Sequence, residues 1–323
     1  MKKCKGVNVF ISGARGYIGS SLLEQSLDEG FNCAVLVREN LTDTSEQVKQ
    51  FIGDLSDNSF VRSIPLNKVD VFVHAAAKAH VIGNRTAASL SEYLAVNRDA
   101  TLFLAHQAAE AGVKRFVFVS TIGVNGKHNS KPFTEDDKPH PHDAYSFSKY
   151  QAELGLLEMA RKTEMEVVII RPPLVYGKNA PGNFGSLVRW IRKGVPLPFG
   201  AVHNQRSVIA LDNLVDFILL CADRERSPNA ANEVFLVSDG DDISTSVLLR
   251  EVAKAQGRTA RLISVPVAIM KTGAHLLGKG AMANSLFGNL QIDSSKAREL
   301  LGWRPVITME EQLKKMFQEE QKK

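Results

Sequence analysis

A phenol and an ammonium group stand four residues apart in Tyr145-Ser-Phe-Ser-Lys149, a spacing that puts both on one face of a helix. A free tyrosine with a pKa of about 10 is ionised to about one part in a thousand at pH 7, and a neighbouring Lys⁺ favours the phenolate. Lowering the pKa by about three units corresponds to about 4 kcal/mol of differential stabilisation. Tyr145, tuned by Lys149, is therefore expected to exchange a proton with a substrate hydroxyl.

A second constellation, Gly13-Ala-Arg15-Gly16-Tyr17-Ile18-Gly19, follows the apolar run Val7–Ile11 and leads into a helical pattern. Glycines there let the backbone turn tightly and approach a pyrophosphate, while the helix N-terminus offers N–H groups to the anion. This loop predicts a dinucleotide site.

Both groups need a scaffold. Short runs rich in Val, Ile and Phe, at Val7–Ile11, Cys33–Val37, Val69–His74, Arg115–Ser120, Glu166–Arg171 and Glu233–Val237, read as buried parallel strands. Helical spacing over Gly19–Glu29, Leu90–Ala111 and Lys149–Thr163 supplies the crossovers. The fold class is α/β, a doubly wound parallel Rossmann sheet with a smaller, mostly C-terminal substrate lobe. Its dinucleotide-binding domain is expected over 1–172, with 206–240 returning to it, and the lobe over 173–205 and 241–323, where prolines and glycines mark irregular connections.

Composition excludes several classes. Forty Lys+Arg against 35 Asp+Glu give a net charge of +5, with the signs intermixed, so nucleic-acid binding is not expected. Cys4, Cys33 and Cys221 are odd in number and lack metal-ligand spacing, which predicts neither a disulfide framework nor a metal site and suits a reducing cytoplasm. Val208 to Ala222 is interrupted by Asp212, Asn213 and Asp216, and no segment reaches the roughly 20 apolar residues of a membrane span.

The GxxGxxG spacing of the loop, with the Tyr145/Lys149 pair, resembles the short-chain dehydrogenase/reductase superfamily. Gly53-Asp54-Leu55 resembles its adenine contact, His74-Ala75-Ala76-Ala77 its loop beside the cofactor, and Asn97 its central-helix asparagine. Aligned with the family pattern, Thr121 takes the catalytic serine/threonine position, with Ser120 a rival one residue away. Arg171-Pro172-Pro-Leu-Val-Tyr-Gly177 is similar to the sixth-strand segment of the extended subfamily, the NAD-dependent epimerase/dehydratase family. That resemblance implies a nucleotide-sugar substrate. It places Asn183 under the nucleotide, Arg206 and Arg298 on diphosphate oxygens, and Lys78 and His80 near the sugar. It also places Pro172 beside the cofactor and implies a homodimer through sheet-flanking helices.

The end of the second strand carries Arg38, where an acidic residue would accept hydrogen bonds from the adenosine ribose. With Arg15 it is expected to flank a 2′-phosphate, so NADP(H) is favoured over NAD(H), although Glu39 counts against this. Leu174 stands where galactose-type epimerases resembling this chain have Asn. The leading expectation is NADPH-dependent reduction of a 4-keto UDP-hexose or UDP-N-acetylhexosamine. The alternative is a UDP-sugar 4-epimerase with retained NAD, and a remoter one is a non-catalytic cofactor-sensing protein. Ile122-Gly123 replaces the Asp-Glu pair of similar dehydratases, which disfavours dehydration.

Overall fold

The computed structural model describes residues 6–42, 48–79, 89–276 and 286–318. Its strands are β1 (Asn8–Ser12), β2 (Asn32–Val37), β3 (Lys49–Ile52), β4 (Val71–His74), β5 (Arg115–Val119), β6 (Glu166–Arg171), β7 (Leu174–Tyr176), β8 (Val208–Ala210) and β9 (Val234–Leu236). Seven form one sheet in the order β3-β2-β1-β4-β5-β6-β9, and β7 pairs with β8 separately. Every pairing is parallel. Continuous apolar runs suit this arrangement, because helices cover both faces of the sheet.

The helices are α1 (Tyr17–Glu29), α2 (Asn58–Arg62), α3 (Leu90–Leu94), α4 (Ala100–Glu110), α5 (Ala144–Lys162), α6 (Gly182–Arg192), α7 (Leu211–Ala222), α8 (Thr245–Ala255), α9 (Val267–Leu276), α10 (Ser295–Leu301) and α11 (Met309–Gln318). One sheet face, with Val9, Ile11, Val73 and Val117, packs under Leu22 and Leu23 of α1 and Leu214 and Ile218 of α7. The other carries Phe10, Phe72 and Phe116, whose rings stack 4.9 and 5.0 Å apart, beneath Leu104 of α4 and Leu156 of α5. The lobe has its own core, including Phe184 and Leu187 of α6, Leu249 of α8 and Met316 of α11.

Three features differ from the sequence expectation. β3, with its Lys and Gln, is an additional edge strand. The expected helix Leu90–Ala111 is interrupted by a π-helical turn over Ala95–Asp99. Within the range 241–323 expected for the lobe, Ala297 of α10 and Trp303 pack into the core beneath the sheet; the Trp303 indole lies edge-on to Phe217, 5.0 Å between ring centres. Among the described residues no helix is long and apolar enough to cross a membrane, and no cluster of metal-ligating side chains occurs.

β1 lies between β2 and β4, so the chain crosses over to opposite sides of it and leaves a crevice at the strand C-termini. Such a switch point is where doubly wound sheets bind their ligands.

Candidate active site

The glycine loop spans that crevice. Gly13 has φ +80°, and a Cβ there would lie 2.6 Å from the Ala76 backbone nitrogen, so the approach of the loop to the end of β4 requires glycine. At Gly19 a Cβ would fall 2.1 Å from the Gly13 carbonyl oxygen. Gly16 caps α1 without a side-chain hydrogen bond, and no acidic residue occupies the first turn. The cradle therefore fits the pyrophosphate of a dinucleotide: small residues admit its approach, and no carboxylate in the first turn competes for the N–H groups. Ile18 packs against the sheet-side core. Tyr17 turns inward, its buried hydroxyl close beneath Gly177 and its pKa pushed up by burial and by Asp212.

Around this crevice, Ala75 and Ala76 are half-buried, Ala77 is exposed and Leu55 is buried. Asp54 accepts from the Ser56 N–H at 2.8 Å, which with Arg38 holds its carboxyl below the usual range. Arg15 forms an ion pair with Glu39. Arg15, expected to flank a 2′-phosphate together with Arg38, is thus paired with a carboxylate. Pro172 is buried, and its carbonyl accepts from the Ile122 N–H at 2.9 Å.

α5 begins with a capping box between Asp143 and Ser146, which fixes the first turn that carries Tyr145. The expected lowering of the Tyr145 pKa by Lys149 is absent. Burial, with Asp143 and then Tyr93 adding to it, pushes Tyr145 up to about 12. Lys149 is buried, with its Nζ 3.8 Å from the centre of the Phe118 ring. Burial pushes it down to about 7, against the pull of Glu153.

The structure separates the two candidate hydroxyls. Ser120 is buried and donates to the Glu153 carboxylate, whereas Thr121 lines a cavity of about 260 Å³ between sheet and lobe. Thr121 Oγ1 accepts from the Gly123 N–H at 3.1 Å, and Gly123 packs against Ser146 of α5. The loop after β5 and the first turn of α5 are thereby held together.

Leu174, Phe184 and Thr245 close the cavity from the lobe, and Arg206 lines it as well. Arg206 donates to the Gly288 carbonyl at 3.0 Å, and burial lowers its pKa. Arg298 is not brought here: it is exposed on α10, a helix that packs on β9. Lys78 pairs with Glu92. Asn183 lies in the first turn of α6, its side chain outside the described set, and His80 lies outside the described residues. Asn97 spends its side chain on the Lys78 backbone and on Ser148 Oγ, 2.9 Å away.

Sequence reasoning passed over His142, which lines the cavity beside Thr121, and the buried Glu153–Arg171 pair. Arg171 also donates to Asn125 at 2.9 Å, tying β6 to the turn after β5. Glu153 follows Lys149 by one helical turn, a spacing that could have signalled it.

A family model described as the NAD dependent epimerase/dehydratase family matches residues 9–237. A UDP-glucose 4-epimerase of Vibrio cholerae is 39% identical over 315 residues, which cover 96% of this chain and 94% of that protein. The N-acetyl-alpha-D-glucosaminyl-diphospho-ditrans,octacis-undecaprenol 4-epimerase of Escherichia coli O157:H7 is 29% identical over 273 residues, 83% of this chain and 78% of that one. In fold, the chain resembles the UDP-glucose 4-epimerase of Thermotoga maritima with a TM-score of 0.80 at 23% identity, covering 98% of this chain and 100% of that one.

Proposed function

Because this chain belongs to the NAD dependent epimerase/dehydratase family, we propose that it is a UDP-sugar 4-epimerase that retains NAD. The observation that carries this reading is the 39% identity, along almost the whole of both chains, to the Vibrio cholerae UDP-glucose 4-epimerase. It displaces the 4-keto reductase from first place. The cofactor half of the reading is supported by Glu39, which engages Arg15 and puts a carboxylate where a 2′-phosphate would need cations.

A bound nicotinamide cofactor supplies reversible hydride transfer at sugar C4. Tyr145 takes the O4 proton as C4 is oxidised, a step that needs its phenolate; the positive charges of Lys149 and of a bound oxidised cofactor would bring the phenol down from its buried value, and the proton returns to that oxygen once the 4-keto sugar has presented its other face. Thr121 hydrogen-bonds the same oxygen, Lys149 supplies positive charge beside the cofactor ribose, and Arg206 holds the diphosphate. Protons and hydride both return, so no cofactor is consumed.

Leu174 in the cavity wall keeps 4-keto reduction as the second reading. A homodimer is part of the proposal and is supported by Phe147 and Leu154, which α5 exposes at 37% and 45%. The cofactor is tested by denaturing the purified protein, identifying what it releases by mass spectrometry, and titrating the emptied protein with NADH and NADPH. Released NAD and preference for NADH are expected. An emptied site that prefers NADPH would favour the reductase.

A further inference from the structure

One buried chain of hydrogen bonds runs from the residue before the glycine loop to the catalytic tyrosine. It starts at Ser12, the last residue of β1, whose Oγ lies 2.6 Å from His74 Nδ1. His74 Nε2 lies 2.9 Å from Thr101 Oγ1, which lies 2.9 Å from the Asn97 carbonyl oxygen. Asn97 Nδ2 is 2.9 Å from Ser148 Oγ, and that oxygen is 2.7 Å from the Tyr145 carbonyl oxygen.

We infer that His74 is a positioning residue: held as the neutral Nε2–H tautomer, it couples the cofactor loop through Thr101, Asn97 and Ser148 to the helical turn that presents Tyr145. The direction of each bond follows from proton counting. A carbonyl only accepts, so the single Ser148 hydroxyl proton goes to the Tyr145 carbonyl, and Ser148 Oγ must accept from Asn97. The Thr101 proton likewise goes to the Asn97 carbonyl. Thr101 can then only accept from His74, which places the ring proton on Nε2. Nδ1 is left as an acceptor, and Ser12 donates to it.

The surroundings hold the ring in that state. His74 is completely buried and lies among Phe72, Phe116 and Phe118, with centroid distances of 6.3, 5.9 and 5.8 Å. The charged group that acts on it is Lys149 of α5, and both burial and that charge oppose an imidazolium. Asn97 sits in the π-helical turn that interrupts the expected helix, a feature that frequently marks functional sites. His74 is thus too basic-poor and too enclosed to act as an acid or base. Its work is to hold the two halves of the site in register, where a displacement of about 1 Å can cost about a hundredfold in rate.

Two measurements on the holoenzyme test this. Long-range ¹H–¹⁵N spectra of histidine-labelled protein, assigned by loss of one signal in His74→Asn, should show an Nε2-protonated ring that does not titrate from pH 6 to pH 9. For turnover, Thr101→Val should lower kcat about tenfold with KM within about twofold, and Thr101→Ser should restore kcat to within about twofold. An Nδ1-protonated or titrating ring, or wild-type kcat in Thr101→Val, would overturn the inference. The kinetic arm rests on the epimerase reading, whereas the tautomer is read without substrate, so the two can fail separately.

Discussion

Glu39 closes on Arg15, so the first acidic side chain beyond β2 pairs with the guanidinium that the glycine loop itself carries. Both side chains are solvent-exposed, and the pair contributes little to stability. Its consequence lies in selectivity. Glu39→Ser should release Arg15 to a 2′-phosphate and shift the ratio of NADPH to NADH affinity by about tenfold towards NADPH, or about 1.4 kcal/mol. Fluorescence titration of cofactor-free protein measures it, and an unchanged ratio would remove Glu39 from the selectivity argument.

Lys149 is buried and its pKa is pushed down to about 7. Below that pH both the folded and the unfolded chain carry the charge, and the folded one bears its desolvation. As pH rises from about 7 towards the ordinary lysine range, the unfolded chain holds a proton that the folded chain has lost, so stability rises. Lys149→Met should therefore stabilise the cofactor-free protein at pH 6 by on the order of 2 kcal/mol, with the gain shrinking by pH 10. Activity should be lost. Urea denaturation at the two pH values checks the sign.

Thr121 and Ser120 should separate by phenotype. Thr121→Val removes a hydroxyl from the cavity and should lower kcat by about a hundredfold, with about 1 kcal/mol of stability lost because the Gly123 N–H loses its acceptor. Ser120→Ala removes a donor from the buried Glu153 carboxylate. It should cost about 1.5–3 kcal/mol of stability while leaving kcat within a few-fold. Thermal denaturation beside initial rates distinguishes them, and the reverse pattern would reassign the catalytic hydroxyl to Ser120.

Much of this organisation was legible in the sequence because it rests on local rules. The apolar runs became six of the seven sheet strands, and the glycine loop fell at the switch point because tight turns and backbone approach demand glycine. What stayed hidden depends on contacts distant in sequence. β3 is an edge strand whose partly polar residues carry no buried-strand signal. The π turn moves Asn97 out of plain helical register. The inversion of the Tyr145 expectation comes from burial, which spacing does not report. Arg298 matched a family pattern, yet its helix packs beneath β9 and turns it outward.

Arg206 and Arg298 give a further contrast, since only Arg206 lines the cavity. Arg206→Met should raise KM for a UDP-sugar about ten- to a hundredfold with a small effect on kcat, as expected when a charge-assisted contact to diphosphate is lost. Arg298→Met should leave both constants within about twofold. Equal effects of the two substitutions on KM would remove Arg206 from the diphosphate site.

The most direct measurement is to incubate the purified protein, with no added cofactor, with UDP-glucose or UDP-N-acetylglucosamine and to follow the anomeric proton signals by NMR while recording absorbance at 340 nm. Appearance of the C4 epimer up to a fixed equilibrium ratio, without net change in reduced cofactor and abolished by Tyr145→Phe, is the predicted result. No epimer from either sugar, together with stoichiometric NADPH consumption when a 4-keto UDP-sugar is supplied, would contradict it.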